Sequence, residues 1–248
     1  MAGMAADGSL AATVLTGAPG FIASPEPGAL HVGALPSLCD PFSALLAARL
    51  PIGMLGIDFA TRRRNRVNGH IASISEGGFV LDVVQSFGNC PKYIRGRKIA
   101  PAPEAATAAD EIERFVGLDD EARALVGATD TFFVASSSGP GAVQHGGVDI
   151  SHRGGEAGFI AVEGDRLCIP DYSGNRYFNT FRNFLRYPIA ALLFIDFASG
   201  DLLHLTGRVK VDWEGKPKHA GIERAWTADI GSGWRWRGRL PYRWHSAD

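Results

Sequence analysis

The stretch that decides the fold is LCIPDYSGNRYFNTFRNFLRYPIAALLFIDFASGDLLHLTGRVKV, residues 167–211. Short apolar runs such as Ala190–Phe197 lie between Gly, Pro, Asn and Asp residues, a pattern typical of strands. The segment Asn175–Tyr187 is longer, ends before Pro188 and is typical of a helix. The stretch therefore predicts a strand, a helix and two further strands.

The same arrangement occurs earlier in the chain, which indicates an internal repeat. IDFAT at 57–61 returns as IDFAS at 195–199, a shift of 138 residues, and the same shift carries Gly69 onto Gly207. A first helical stretch, Asp40–Leu50, again ends before a proline. Each half is therefore expected to contain three strands, a helix and two strands. The further predicted strands are Gly53–Phe59, Gly78–Val84, Thr131–Ser136 and Gly158–Val162.

An acidic segment separates the two halves. Residues 101–130 carry 8 acidic and 2 basic side chains, whereas the whole chain has 26 and 25. We interpret Ala100–Ala106 as a linker and Thr107–Ala128 as a connector helix, in which Ile112, Phe115 and Val116 have helical spacing. The predicted organisation is an N-terminal repeat at 1–98, a linker with a connector helix at 99–130, and a C-terminal repeat at 131–248.

The two halves differ at their first strand. The second half begins with the apolar run Thr131–Ser136, whereas only Met1–Ala6 stands at the equivalent place in the first half. Either residues before Met1 complete that strand, or the repeat has degenerated there. In both cases the neighbouring strand needs a cover, because an unpaired edge exposes hydrogen-bonding groups.

Composition and charge argue against several classes of protein. The longest apolar run, residues 188–195, is far short of the ~20 residues that span a bilayer. Residues 1–20 lack the basic and apolar regions of a secretory signal. These features predict a cytoplasmic protein that does not enter a membrane. The net charge of −1 argues against nucleic acid as a partner.

Metal sites and common catalytic motifs are not indicated by the sequence. Cys39, Cys90 and Cys168 are widely spaced, and the seven histidines include no His-x-x-x-His pair. There is no Gly-x-Gly-x-x-Gly after a strand, no Walker loop and no Gly-x-Ser-x-Gly elbow. The C-terminal region is rich in tryptophan and arginine, and we expect it to pack against the sheets or a partner subunit rather than bind single strands.

Several segments together resemble one known family. FFVASSSG at 132–139, GGVDISHRGGEAGFIAV at 146–162 and the stretch quoted above resemble the pyridoxamine 5′-phosphate oxidase-like family of flavin-binding split β-barrels. GIDFATRRRNRVNGHI at 56–71 and VVQSFGNCPKYI at 83–94 resemble the N-terminal half of its two-repeat branch. The resemblance therefore covers nearly the whole chain.

The resemblance implies a mainly β (α+β) fold of tandem split β-barrels with a helical connector. It also implies a homodimer with FMN bound at the dimer interface, and an oxidoreductase that acts on a small-molecule substrate with redox chemistry supplied by the flavin. The substrate is not readable from the sequence, and some members of the superfamily bind heme or a deazaflavin instead. The alternative function is a protein that binds flavin or another cofactor without turnover.

The turn at 171–176 offers the groups that a flavin phosphate needs. Its glycine allows close backbone approach, the following helix start supplies free N–H groups, and Arg176 can hold two phosphate oxygens. We expect Ser173, Asn175, Arg176 and Thr180 to bind the cofactor, with Thr180 one helical turn beyond Arg176. In the alternative interpretation the serine and asparagine cap the helix, and the arginine pairs with the aspartate that opens the turn.

Two further segments of the second half carry candidate flavin contacts through the resemblance. Alternation sends Ser151 and Arg153 to one face of their strand and His152 to the other. His204 stands near the position where family members often present a glutamine or similar group towards the flavin. The alternatives are a solvated Arg153 and a histidine that is satisfied by a neighbour within its sheet.

The first half lacks the phosphate-binding residues but carries a run of four arginines within five residues. Alternation places Arg62, Arg64 and Arg66 on one face, which is either a solvated face or a site for an anionic group. We predict a composite site in which the second half holds the phosphate. The first half would supply Asn89 and Lys92 near the flavin ring or the substrate.

Overall fold

Two antiparallel β-sheets, one from each half of the chain, make up most of the computed structural model. It describes residues 1–88, 90–102, 111–140, 147–174, 178–213 and 222–247. Within these ranges, neither α-helix has the length and apolar character needed to cross a membrane. The β-rich architecture predicted from the short apolar runs is confirmed.

The first sheet has seven strands in the spatial order β2-β1-β5-β6-β7-β4-β3. The strands are β1 (Ala2–Met4), β2 (Leu10–Ala12), β3 (Ile22–Ala23), β4 (Ala29–Val32), β5 (Pro51–Asp58), β6 (Arg63–Ser75) and β7 (Gly78–Gly88).

The predicted helix at Asp40–Leu50 is only a short 3-10 helix, Pro41–Leu45. The Asp40 side chain caps it by accepting a hydrogen bond from the backbone N–H of Phe42. The longer helix is wrong because the later residues bond to β6 instead. The backbone N–H of Arg49 donates to Ile71, whose own N–H donates to Leu50.

The second sheet has eight strands, in the order β11-β10-β14-β15-β16-β13-β12 with β9 paired to β16. The strands are β9 (Glu113–Val116), β10 (Thr131–Ser137), β11 (Val148–Gly154), β12 (Ala161–Glu163), β13 (Arg166–Tyr172), β14 (Ile189–Ile195), β15 (Leu202–Asp212) and β16 (Ile222–Trp236). The helices of this half are α1 (Asp120–Ala128), which precedes the sheet's first long strand, and α2 (Asn179–Arg186).

The segment between the halves differs from the prediction. Helix α1 covers only the last part of the predicted connector, whereas Glu113–Val116 forms β9 and pairs with Ser232–Arg235 of β16. Pairing at the sheet edge therefore overrides the helical spacing of Ile112, Phe115 and Val116. The predicted linker begins at Ala100, but Ala100 and Pro101 are the end of β8 (Arg97–Pro101), which pairs with β17 (Tyr242–Ser246). Residues 103–110 lie outside the described ranges.

The two sheets have the same strand order: if strands are counted along the chain from β1 in the first sheet and from β10 in the second, strands with the same count occupy the same place. Gly69 and Gly207, related by the shift of 138, each lie at a register shift in the equivalent strand pair. A Cβ atom on Gly207 would lie 2.6 Å from the backbone oxygen of Asp229, and one on Gly69 would meet the oxygen of Asp82. Each bulge therefore requires glycine.

Apolar packing holds the halves together. Each sheet has its own buried cluster, and a third cluster combines residues of the first half, such as Leu10 and Phe59, with residues of the second, such as Phe133 and Leu193. In the tryptophan-rich region, Trp226, Trp234 and Trp236 belong to β16 and are buried, whereas Trp213 is half exposed.

The short first strand leaves a groove beside β5. Strand β1 pairs with β5 only at Ile52 and Gly53, whereas β10 pairs with five residues of β14. Beyond Gly53, the described part of the chain offers β5 no strand on that side. A largely apolar cavity of about 480 Å³ lies there, lined by residues of both halves that include Leu55 and Phe133.

Candidate functional site

A cleft between the two halves collects most of the polar residues that the sequence analysis singled out. From the first half it is lined by β6 and by Cys90, Lys92 and Tyr93; from the second it is lined by β11, β13 and the start of α2. Its cavity volume is about 120 Å³. We call this the interhalf cleft.

Two buried hydroxyl groups form one wall of the interhalf cleft. The Oγ of Ser151 on β11 lies 3.2 Å from the Oγ1 of Thr180 on the first turn of α2. The Ser151 hydroxyl also lies 3.3 Å from an oxygen of Asp149. The structure thus brings together two residues that are 29 positions apart in the chain and that were both predicted to bind the cofactor.

Arg153 lies beside these hydroxyls and is partly fixed by an ion pair. Its Nη1 is 2.6 Å from the Asp171 carboxylate, and its guanidinium lies 5.3 Å from the ring centre of Phe181. Burial raises the pKa of Asp171, although Arg153 and Arg224 act in the opposite direction. The Nε of Arg153 is buried and has no hydrogen-bond partner among the described residues.

Two arginines of the first half enter the cleft from β6. Arg66 is buried and bonds both oxygens of Asp149, at 3.0 and 2.9 Å. Arg64 lies 2.8 Å from the Nδ1 of His152. The Nε atoms of Arg64 and Arg66 are buried, and, like the Nε of Arg153, they have no hydrogen-bond partner in the part of the chain that the structure describes.

The electrostatics of this cluster are set by burial and by like charges. Burial, together with Arg66 and Arg153, lowers the pKa of Arg64 to about 10. Burial and the neighbouring arginines lower the pKa of His152 to about 3, so the imidazole is neutral near pH 7. A buried N–H donor without an acceptor is costly, and an anion that accepted hydrogen bonds from these Nε atoms would remove that cost.

Positive charge predominates along the wall of the cleft. The described lining residues include four cationic side chains, Arg64, Arg66, Lys92 and Arg153, and two carboxylates, Asp171 and Glu223. Arg153 pairs with Asp171 and Arg66 pairs with Asp149, so Arg64 and Lys92 are the lining cations that form no ion pair with a described carboxylate. The chemistry of this donor set fits a dianionic group such as a phosphate monoester.

An aromatic pair completes the cleft. The rings of Tyr93 and Tyr172, one from each half, stack with centres 5.3 Å apart. The Tyr93 hydroxyl donates to the backbone oxygen of Ser173 at 2.9 Å. Burial raises the pKa of both tyrosines, so both are neutral phenols at pH 7. Tyr93 and Phe178, which also lines the cleft, have the left-handed φ angles 65° and 52°, a strain that is common at functional sites.

The predicted site residues lie in or at the edge of the cleft, outside the described ranges or, for His204, elsewhere in the structure. Ser151, Arg153, Thr180 and Lys92 line the cleft, and Ser173 accepts the hydrogen bond of Tyr93 at its edge. The predictions for Asn89, Asn175 and Arg176 fall on residues outside the described ranges.

His204 lies apart from the cleft-lining residues, in the apolar interface between the halves. Its Nε2 accepts a hydrogen bond of 3.2 Å from the backbone N–H of Ala12, and its ring stacks on Trp234 with centres 4.9 Å apart. Burial lowers its pKa to about 4. The Nε2 contact corresponds to the alternative in which a neighbour satisfies the histidine, whereas the buried Nδ1 has no hydrogen-bond partner among the described residues.

Several cleft residues were missed or only half predicted. Alternation correctly placed Arg64 and Arg66 on one face, but Arg62 lies in the turn before β6 and does not line the cleft. His152 lines the cleft together with Ser151 and Arg153, because Arg64 approaches β11 from the first half. The Tyr93–Tyr172 stack joins residues of different halves, and no local pattern indicates it.

Comparisons with known proteins give distant structural likenesses. No protein-family model matches the chain, and no curated protein does. HupZ from Group A Streptococcus is similar over 47% of this chain and 98% of its own, with 11% identity and a TM-score of 0.37. A FAD-binding protein from Mesorhizobium loti is similar over 51% of this chain and 97% of its own, with 10% identity and a TM-score of 0.33. Likenesses this distant leave the function to the chemistry of the site.

Proposed function

We propose that the interhalf cleft binds the phosphate of FMN and that the protein is a flavin-dependent oxidoreductase acting on a small-molecule substrate. One observation carries the proposal: Arg64, Arg66 and Arg153, from both halves, line the same cleft, and the buried Nε–H donor of each has no acceptor among the described residues. A phosphate dianion would accept several such charge-assisted hydrogen bonds at once.

The start of α2 supports the same assignment. Phe178, the residue that caps the helix, makes no side-chain hydrogen bond to the first-turn N–H groups. These donors, the helix dipole and the hydroxyls of Ser151 and Thr180 all favour an anion at this end of the helix. Arg176, predicted as a phosphate ligand, stands just before it in the sequence and remains part of the proposal.

The flavin ring would lie against the aromatic side of the cleft. Tyr93, Tyr172 and Phe178 offer apolar faces within a few residues of the arginine cluster. Lys92 precedes Tyr93 and would stand near the ring or the substrate, together with Asn89. This division retains the composite site, in which the second half holds most of the phosphate contacts.

The proposed architecture is a tandem pair of split β-barrels within one chain. The equal strand order of the two sheets and the matching bulges at Gly69 and Gly207 support it. The resembling family binds FMN between two protomers, and here the two halves would take the place of those protomers. A homodimer of the whole chain stays a prediction, to be measured by light scattering after size-exclusion chromatography.

A cofactor-binding protein without turnover is the second candidate function. It is favoured by the state of His152, the histidine among the described lining residues. With its pKa lowered to about 3, this imidazole cannot donate a proton near neutral pH. Catalysis in this cleft would therefore depend on the flavin's own redox chemistry and on other proton donors.

The proposal is tested by purifying the protein and recording its visible absorption spectrum, then identifying the chromophore released by denaturation. We expect FMN; a heme or deazaflavin would replace the cofactor assignment, and a colourless protein that also fails to bind added FMN would remove it. Reduction of the bound flavin by NADH or NADPH, followed by reoxidation by an added acceptor, would separate an oxidoreductase from a carrier.

A further inference from the structure

A second polar cavity lies beside the interhalf cleft. Its volume is about 360 Å³, and it is bounded by β6 and β7 of the first half and by β11 and α2 of the second. Arg66 lines the cleft and its ion-pair partner Asp149 lines the second cavity, so this pair separates the two spaces. Its polar lining residues include Asn68, His70, Asp149 and Arg182.

Two lining residues present buried polar atoms without partners. Asn68 donates through Nδ2 to Asp149 at 3.3 Å, whereas its Oδ1 has no partner among the described residues. The Nε2 of His70 is also buried and has no hydrogen-bond partner among the described residues. An unsatisfied buried polar atom costs about 1–3 kcal/mol, so each of these atoms favours a ligand that completes its hydrogen bonding. For the Asn68 oxygen, that ligand must present an O–H or N–H donor.

The charge of the cavity favours an anion. Arg182, on the exposed side of α2, forms no ion pair with any described residue, and it lines the cavity. The carboxylate of Asp149 is neutralised by Arg66, which bonds both of its oxygens. A cationic ligand would therefore meet an unpaired guanidinium and no free carboxylate within the described lining.

We propose that this second cavity binds a small hydroxylated carboxylic acid. The carboxylate would pair with Arg182, and the hydroxyl would donate to the Oδ1 of Asn68. This site is distinct from the interhalf cleft, and its occupancy does not depend on a cofactor bound there. Arg182 and the Oδ1 of Asn68 together select the class of ligand, an acid with a neighbouring hydroxyl donor.

Isothermal titration calorimetry with three matched pairs of acids tests the proposal. Lactate, malate and citrate carry a hydroxyl, whereas propionate, succinate and tricarballylate are their counterparts without it. At least one hydroxy acid should bind ten times more tightly than its counterpart, since the counterpart leaves the Asn68 oxygen unsatisfied. Equal affinities in all three pairs, or no binding by any hydroxy acid, would overturn the proposal.

Variants locate the binding. Arg182→Gln should weaken the hydroxy acid at least tenfold, while Arg186→Gln, an exposed change one turn later on α2 that removes the same charge, should have no effect. Asn68→Leu should abolish the preference for the hydroxylated member of the pair. Arg64 lines the interhalf cleft and not the second cavity, so Arg64→Gln should leave acid binding unchanged. Loss of binding in Arg64→Gln would show that the acid occupies the cleft, and equal losses in the two α2 variants would show a non-specific charge effect; either result overturns the proposal.

Discussion

Arg66 bonds both carboxylate oxygens of Asp149, at 3.0 and 2.9 Å, and thereby joins β6 of the first half to β11 of the second. Both residues are less than a tenth exposed. The ion pair lies between the interhalf cleft and the second polar cavity. The fixed position of one half on the other, on which both proposed sites depend, therefore rests partly on this contact.

Breaking this pair should destabilise the protein strongly. Asp149→Asn leaves the buried Arg66 without its counter-charge, and we expect the free energy of unfolding in urea to fall by about 3–5 kcal/mol. Replacing both partners, Arg66→Met with Asp149→Leu, should recover much of that loss. As a control, Asp229→Asn at the exposed Arg166–Asp229 pair should leave stability nearly unchanged. A similar small effect for Asp149→Asn would contradict this account of the interface.

Stability should decline as the pH falls below the pKa of an exposed histidine. The pKa of His204 is lowered from 6.5 to about 4, so between these values the unfolded chain takes up a proton that the folded chain refuses. The stabilisation is complete above pH 6.5 and is lost as the pH falls towards 4, by about 1.4 kcal/mol per pH unit. His152 acts in the same direction.

Urea unfolding at pH 7.5, 6 and 5 measures this dependence. His204→Gln, which retains an acceptor for Ala12, should flatten the slope between pH 6 and 5. An unchanged slope in His204→Gln would mean that His204 titrates normally in the folded protein.

The bulge glycines should not tolerate a side chain. Gly207→Ala places a Cβ atom 2.6 Å from the backbone oxygen of Asp229, and we expect a loss of about 1–3 kcal/mol in unfolding free energy. Gly231→Ala, on the partner strand, has no atom within 4 Å of its new Cβ and should change stability by about 0.5 kcal/mol or less. Equal effects would show that the register shift does not depend on glycine.

Each chain should bind one flavin rather than two. At the repeat-equivalent place in the first half, the shift of 138 puts Thr13, Val14 and Leu15 where the second half has Ser151, His152 and Arg153. That place therefore lacks the cation that faces the proposed phosphate. The ratio of released flavin to protein, from absorbance and quantitative amino-acid analysis, should approach one, and a ratio near two would contradict the assignment.

The sequence predicted the parts of the fold that rest on local pattern. Short apolar runs placed β5, β7, β10 and β14 within a few residues, and the shift of 138 related Gly69 to Gly207, both of which the structure places at β-bulges. The helix predicted from Ile112, Phe115 and Val116 failed because the free edge of β16 offered a strand partner that no local pattern reveals.

Residues of the candidate site could be predicted where a local sequence pattern marks them, and not where their contacts depend on the packing of the two halves. Ser151, Arg153 and Thr180 belong to segments with a recognisable pattern and do line the cleft. The approach of Arg64 to His152 spans 88 positions, and it depends on how the two halves pack together. His204 was suggested as a ligand by the family resemblance and stays a prediction; the contact of its Nε2 with the backbone N–H of Ala12 joins the two halves, and no local pattern indicates it.

The most direct test of the central claim is the dissociation constant of FMN compared with that of riboflavin, which lacks the phosphate, for the wild type, Arg64→Gln and Arg63→Gln. Arg64 lines the cleft, whereas Arg63 is its exposed neighbour on the other face of β6. We predict that FMN binds the wild type at least tenfold more tightly than riboflavin does. Arg64→Gln should remove most of this difference without raising the dissociation constant of riboflavin. Arg63→Gln should change neither dissociation constant. Equal affinities of the wild type for the two flavins would contradict a phosphate site in this cleft.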